Sequence, residues 1–253
     1  MKALIVRRLL DWMARKNFDF RAVQARIDQL HARHGQLSAV LSPDDEPGRP
    51  NDRLLDIAEA TIRICRKQIL PPYTDRFSGG AWVDYFYWWP GEHYRVLAAL
   101  CQVLGVRHAV EIGTFTGASS LAMLPFLPPN GSLVTFDIVA WNQVPGTLLR
   151  PVDFTTGKFR QIVEDLSDPA VATAHAAILQ QADLIFIDAA KDGVQEQRFL
   201  DHFERIGLKS GTLLVFDDIR IWNMLGIWRR IRRPKLDFTS FGHFTGTGFV
   251  YWE

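Results

Sequence analysis

The sequence predicts an α/β fold: a doubly wound, mostly parallel sheet preceded by an N-terminal helical extension. Three observations carry this. Short apolar runs ending on polar residues recur at 108–112, 132–136, 159–163, 183–187 and 211–216. Helix-patterned segments separate several of them, as crossovers between parallel strands require. Before residue 92 no such alternation occurs, and the apolar spacing is helical. A chain of 253 residues has room for one substantial core and an appendage.

The extension comes first. Ile5, Leu9, Trp12 and Met13 share one helical face over residues 3 to 15, and Val23, Ile27 and Leu30 do so over 20 to 33. The polar, proline-rich stretch 42–50 breaks the pattern. A third helix then places Leu54, Ile57, Ala58, Thr61, Ile64 and Cys65 in register, until Pro71 and Pro72 stop it. Residues 1–76 thus form a cap or arm, suited either to packing on the core or to a homodimer contact through its helices. Residues 77–91 combine Phe77, Trp82, Tyr85, Phe86, Tyr87, Trp88 and Trp89 with glycines. That density fits a lid over an apolar ligand and equally a segment fixed to the core by its rings.

Residues 92–253 form the core. Leu97, Leu100, Cys101 and Leu104 mark a helix that Gly105 ends. Asp168-Pro169 starts another, aspartate as N-cap and proline at the first helical position. Phe199, Phe203 and Ile206 mark a further one, and the tail from Phe238 to Trp252 reads as two strands with a glycine-rich link.

Composition narrows the function classes. The net charge is +1, with 47% apolar and 23% charged residues, so the balance gives no sign of a nucleic-acid binder. The basic run Arg229, Arg230, Arg232, Arg233 and Lys235 has no second block to support it and reads as a solvated helix face, with a nucleic-acid contact or an acidic substrate as the alternatives. Cys65 and Cys101, the two cysteines, lack metal-ligand spacing and fall in apolar helical patterns, so buried free thiols are expected. No apolar run is long enough to cross a bilayer. Arg7, Arg8 and Asp11 break the N-terminal apolar stretch, unlike a secretory signal. A cytoplasmic, non-membrane protein is the expectation.

In open α/β sheets, ligands bind beyond the carboxyl ends of the strands. The first strand runs into Glu111-Ile112-Gly113-Thr114-Phe115-Thr116-Gly117-Ala118-Ser119. Its glycines allow a tight turn and close approach to a ligand, but the G-x-G-x-x-G spacing for a pyrophosphate is absent. A nucleoside-like ligand without a required pyrophosphate fits better. Asp137 ends the second strand, where an acid can accept from ribose hydroxyls or else cap a turn. Glu164, Asp165 and Ser167 follow the third strand, and one of them could receive an adenine amino group.

With these residues in view, 91–220 resemble class I S-adenosylmethionine-dependent methyltransferases. The match is to the catechol and caffeoyl-CoA O-methyltransferase type and related bacterial small-molecule O-methyltransferases. Gly91-Glu92 is similar to that family's Gly-Gln helix start, and 111–119 to its E-[IL]-G-x-x-x-G-x-S turn. The resemblance implies a seven-stranded sheet of order 3-2-1-4-5-7-6. It also implies a cofactor site drawn from Glu111, Gly113, Thr114, Phe115, Gly117, Ser119, Asp137 and Asp165. In it the two glycines hold the methionyl part, Ser119 its carboxylate, Asp137 the ribose (the family usually has glutamate there) and Asp165 the adenine. The first 75 residues do not follow the family.

The fourth strand ends in Asp188-Ala189-Ala190-Lys191-Asp192 and the fifth in Asp217-Asp218. Neighbouring parallel strands would bring three carboxylates together, which repel unless protonated or bridged by a cation. Hard oxygen donors favour Mg²⁺; separate capping roles are the alternative. The pattern resembles the family's D-x-x-K and D-[DN] pair. This implies Asp188, Asp217 and Asp218 as metal ligands, with Asp188 also at the reacting centre, and Lys191 as general base. The chain has Asp218 where animal and plant members have asparagine. Lys191 could instead be an ion-pair partner of a nearby acid. Trp222 and Asn223 could wall the acceptor pocket, and His243 is either an alternative base or a loop histidine. The expected function is metal-dependent methyl transfer from S-adenosylmethionine to a hydroxyl of a small molecule. Metal-independent N- or O-methyl transfer and a non-catalytic cofactor-binding protein are the alternatives.

Overall fold

The computed structural model describes residues 48–77, 86–87 and 92–253. The chain divides into two units, 1–44 and 45–253, and only the second contains described residues. The helices expected at 3–15 and 20–33, the homodimer contact assigned to them and most of the aromatic segment lie outside the described residues.

The second unit opens with α1 (Asp52–Cys65), capped by the Asn51 side chain, which accepts from the Leu54 N–H. Its buried face carries Leu54, Ile57, Ala58, Thr61 and Cys65, as the spacing requires, and packs on α2 (His93–Val103). Then follow β1 (His108–Ile112), α3 (Ala118–Met123), β2 (Ser132–Asp137), β3 (Phe159–Val163), α4 (Pro169–Ala174) and α5 (Ala176–Gln181). The chain continues through β4 (Leu184–Ile187), α6 (Gln195–Ile206), β5 (Leu213–Asp217), α7 (Met224–Arg230), β6 (Lys235–Asp237) and β7 (Thr247–Tyr251). The strand order is β3-β2-β1-β4-β5-β7-β6, with β7 antiparallel to both its neighbours and every other pairing parallel.

Alternation of side chains separates two apolar layers. Ala109, Leu133, Phe159, Leu184, Phe186, Leu213, Val215 and Phe249 face α1, α2 and α3. Val110, Ile112, Val134, Phe136, Ile185, Ile187, Leu214, Phe216 and Val250 face the helices on the opposite side, with Phe199, Phe203, Met224 and Trp228 among their partners. The central strands are apolar on both faces because both faces are covered. Cys65 and Cys101 are buried free thiols. Among the described residues no helix is long and apolar enough to cross a membrane.

Two tail details differ from the sequence reading. The first of the final strands is 235–237, not a segment after 238. Lys235 therefore points inward, and its ammonium donates to the Trp228 and Ile231 carbonyls at 2.9 and 3.0 Å. Arg233 lies over the Trp252 ring at 3.6 Å and pairs with Glu204 at 2.7 Å. The basic run is thus no simple solvated helix face: Lys235 closes the open end of α7 by hydrogen-bonding its last carbonyls.

Candidate active site

Register places the acids. Ile187 pairs with Ile112 on one side and with Phe216 on the other, so Asp188 and Asp217 leave the sheet side by side at its carboxyl edge. Asp217 also pairs with Thr247, the first residue of antiparallel β7. The loop entering β7 is thereby brought against the same edge, with His243 and Thr245 in it. Sequence reading left His243 as an alternative base or a loop histidine; the expected terminal antiparallel pair was the signal that its loop sits beside Asp217.

The glycine turn has a structural demand of its own. A Cβ on Gly113, whose φ is +100°, would stand 1.9 Å from the Asp188 carbonyl oxygen. A Cβ on Gly117, at φ +82°, would stand 2.3 Å from Leu149 Cγ. The Asp137 carboxylate accepts from the Thr114, Phe115 and Val139 N–H groups, each at 2.9 Å. It thereby fixes the turn after β1 while lining the cavity beside it. Glu111 is wholly buried, holding the Ser119 and Ser120 hydroxyls. Burial pushes its carboxyl up to about 7 against those hydrogen bonds, and Asp188 adds to the rise. The Ser119 side chain is thus turned into the protein.

Two cavities meet here. One, of about 250 Å³, is lined by Gly113, Phe115, Asp137, Asp165, Asp188 and Ala190 among others. The second, of about 460 Å³, is lined by the acids Asp188, Asp217 and Asp218, by Lys191, and by an apolar wall that includes Phe86 and Tyr94. Phe115 and Asp188 belong to both. Trp222 and Asn223 are exposed and line neither.

Within the second cavity, the Lys191 ammonium bonds to Asp188 and lies 2.9 Å from Asp218. Burial opposes its charge, but the two carboxylates outweigh burial and hold its pKa above the usual lysine range. Asp192 is not its partner: that side chain caps the Val194 and Gln195 N–H groups. Lys191 has φ +59°, held by the buried Glu196, which accepts from the Lys191 N–H at 2.6 Å. Glu196, which thus fixes the backbone at Lys191, was not singled out in the sequence.

Asp217 is buried, and its Oδ1 atom has no hydrogen-bond donor. Burial first, then the charges of Asp188 and Asp218, push its pKa well up. His93 Nδ1 lies 3.8 Å from that oxygen. Burial, then His243 and Lys191, pull His93 down to about 3, so it is neutral. It too was missed, because a histidine at a helix start carries no motif. Asp217, Asp218 and His243 offer ligand atoms within 4.8 Å of one another. An orphaned buried carboxylate oxygen beside further donors is an arrangement into which a divalent cation fits.

A parallel sheet ended by an antiparallel pair, with a glycine turn after β1 and acids after β2, β4 and β5, is the architecture of a class I methyltransferase. Residues 110–219 match the family model Methyltransf_24, described as a methyltransferase domain. The chain is similar to caffeoyl-CoA O-methyltransferase 1 of Zea mays, 29% identical over 136 residues, covering 50% of this chain and 48% of that one. It is likewise 29% identical over 136 residues to catechol O-methyltransferase of Niastella koreensis, covering 51% of this chain and 55% of that one. It thus spans about half the length of the curated relatives it matches. The SAH-bound Podospora anserina methyltransferase PaMTH1 shares the fold, with a TM-score of 0.50, 15% identity, and 93% of this chain and 97% of that one covered.

Proposed function

We propose that this protein transfers a methyl group from S-adenosylmethionine to a hydroxyl of a small acceptor, with a divalent cation, Mg²⁺ in the first instance, at the acid cluster. The observation that carries the reading is the pair of cavities sharing Phe115 and Asp188. One has a nucleoside's donors and acceptors at its rim, and the other holds acids and a lysine under an apolar wall. Asp137 and Asp165 take the ribose and adenine ends, and the backbone around Gly113 and Gly117 takes the methionyl end. Asp188, Asp217 and Asp218 would hold the cation, which supplies Lewis acidity that lowers the pKa of an acceptor hydroxyl. Lys191 lies within the same cavity; a cation drawn onto Asp188 and Asp218 would withdraw the charges that hold its ammonium protonated, and once that ammonium has released a proton to solvent the neutral amine would accept the hydroxyl proton. Phe86, Tyr94 and Phe115 exclude water and orient the acceptor for in-line attack. The free thiols agree with a reducing, cytoplasmic setting.

A second reading rests on one contact. The Lys191 ammonium already bridges Asp188 and Asp218, and this positive charge suits a metal-independent transferase. Turnover with methyl-labelled cofactor and a panel of hydroxylated acceptors, before and after thorough chelation, separates the two. Activity lost on stripping and restored by Mg²⁺ is expected; full activity in the stripped enzyme refutes the metal mechanism. Asp188→Asn and Asp217→Asn should nearly abolish turnover, and Asp217→Asn, at a position that lines the acid-bearing cavity alone, should leave cofactor affinity within about threefold. Lys191→Ala should lower turnover with a defect that shrinks as pH rises, since alkali replaces the missing base. A pH-independent defect would remove Lys191 from the proton transfer.

A further inference from the structure

The acid cluster contains a donor of a different chemical kind. His243 Nδ1 lies 3.5 Å from Asp218 Oδ1 and 4.0 Å from Asp217 Oδ1, the oxygen that no donor reaches. The distance to Asp217 is too long for a hydrogen bond. Ligands about 2.0–2.2 Å from one small cation stand roughly 3–3.5 Å apart, so modest tightening would bring all three atoms onto a common ion. The imidazole is buried and held from several sides. Its own backbone N–H donates to Thr247 Oγ1 at 2.8 Å, its ring stacks on Phe244 and meets His93 edge-on, and Nδ1 contacts the Thr245 hydroxyl. That hydroxyl spends its one proton on Asp218 and therefore accepts from Nδ1–H. A cation at the carboxylates would take the place of the Nδ1 proton, leaving the ring protonated at Nε2 with its Nδ1 lone pair toward the ion.

We propose that His243 is a nitrogen ligand of the cation held by Asp217 and Asp218, and that the site therefore favours a borderline ion such as Mn²⁺, Co²⁺ or Zn²⁺ over Mg²⁺. The inference rests on the cation-assisted reading above and departs from its first choice of ion. Mg²⁺ binds through oxygen and sheds water reluctantly, whereas imidazole suits later first-row ions. The ligand comes from outside the aspartate motifs, on the loop that β7 carries to the edge of β5.

Calorimetric titration of the full-length, metal-stripped protein with Co²⁺ and separately with Mg²⁺ tests this without reference to turnover. Co²⁺ should bind at least about tenfold more tightly than Mg²⁺. His243→Asn, which offers oxygen in place of nitrogen, should reduce that preference severalfold while retaining S-adenosylmethionine binding. Pulsed electron paramagnetic resonance of the Mn²⁺-loaded wild type reads the ligand directly and needs no variant: ¹⁴N modulation from imidazole is expected. Equal Co²⁺ and Mg²⁺ affinities, or absent ¹⁴N modulation on bound Mn²⁺, overturn the nitrogen ligand and leave an oxygen-only site standing. Failure of the wild type to bind any of these ions overturns this inference and the metal half of the proposed function together.

Discussion

At the scale of single residues, burial decides what the acids and glycines do. Glu111 is neutral or charged according to pH because its carboxyl is fully enclosed, with a pKa of about 7. An unfolded glutamate titrates near 4.3. Between these values the unfolded chain binds fewer protons than the folded one, so stability falls as pH rises through that window. Glu111→Gln should flatten this slope, with a difference from wild type that grows to a few kcal/mol by about pH 8. Denaturant titrations of both proteins at pH 5 and pH 8 measure it; parallel pH dependences would show the carboxyl unperturbed. Gly113→Ala is expected to cost more than about 3 kcal/mol or prevent folding, because the added methyl meets backbone rather than a movable side chain. A thermal melt within a few degrees of wild type would show that the turn can move away from Asp188.

At the scale of elements, the segment 74–76 is tied to the 151–154 turn by Arg76. Its guanidinium bonds to both oxygens of Asp153 at 2.6 and 2.9 Å and to the Leu148 carbonyl at 2.9 Å. Both side chains are about nine-tenths buried. Removing one member of such a pair strands the other, so Arg76→Ala should destabilise by about 3 kcal/mol, read from the unfolding midpoint. A loss under about 0.5 kcal/mol would mark the pair as energetically idle. Phe77, the next residue, lines the acid-bearing cavity, so the same change should also weaken acceptor binding. Elements were the most legible level in the sequence. Continuous apolar runs located all five parallel strands, because both sheet faces are covered, and period-3.6 spacing located α1, α2 and α6, because each helix buries one stripe. The site was legible where chemistry is concentrated in a motif, as at Asp188, Lys191, Asp217 and Asp218. His93, Glu196 and the Arg76–Asp153 tie come together only through tertiary packing, and no local pattern announces them. The start of β6 was misplaced because a buried lysine in a run of arginines looks like surface until its carbonyl partners are known.

At the scale of the whole molecule, the acid cluster and the stability of the fold pull against each other. A buried carboxylate with an unsatisfied oxygen, facing two further acids, raises the free energy of the native state above the usual carboxylate range of pH. Asp217→Asn should therefore raise the denaturation midpoint, by about 1–2 kcal/mol at pH 8 in the stripped protein, while abolishing turnover. Loss of stability in that variant would show instead that the native carboxylate is well satisfied. The same opposition predicts that added divalent cation stabilises the wild type and not the variant.

The antiparallel placement of β7 has a consequence for biosynthesis. A ribosome delivers the chain from its N-terminus, and residues 247–251 are the last of the sheet to emerge. Until they dock between β5 and β6, one edge of β5 is open, and an open apolar edge invites pairing with other chains. The loop bearing His243 and Thr245 has by then nothing to hold it against Asp217 and Asp218. The nascent protein thus gains its shield against aggregation and the last wall of the acid-bearing cavity in the same event.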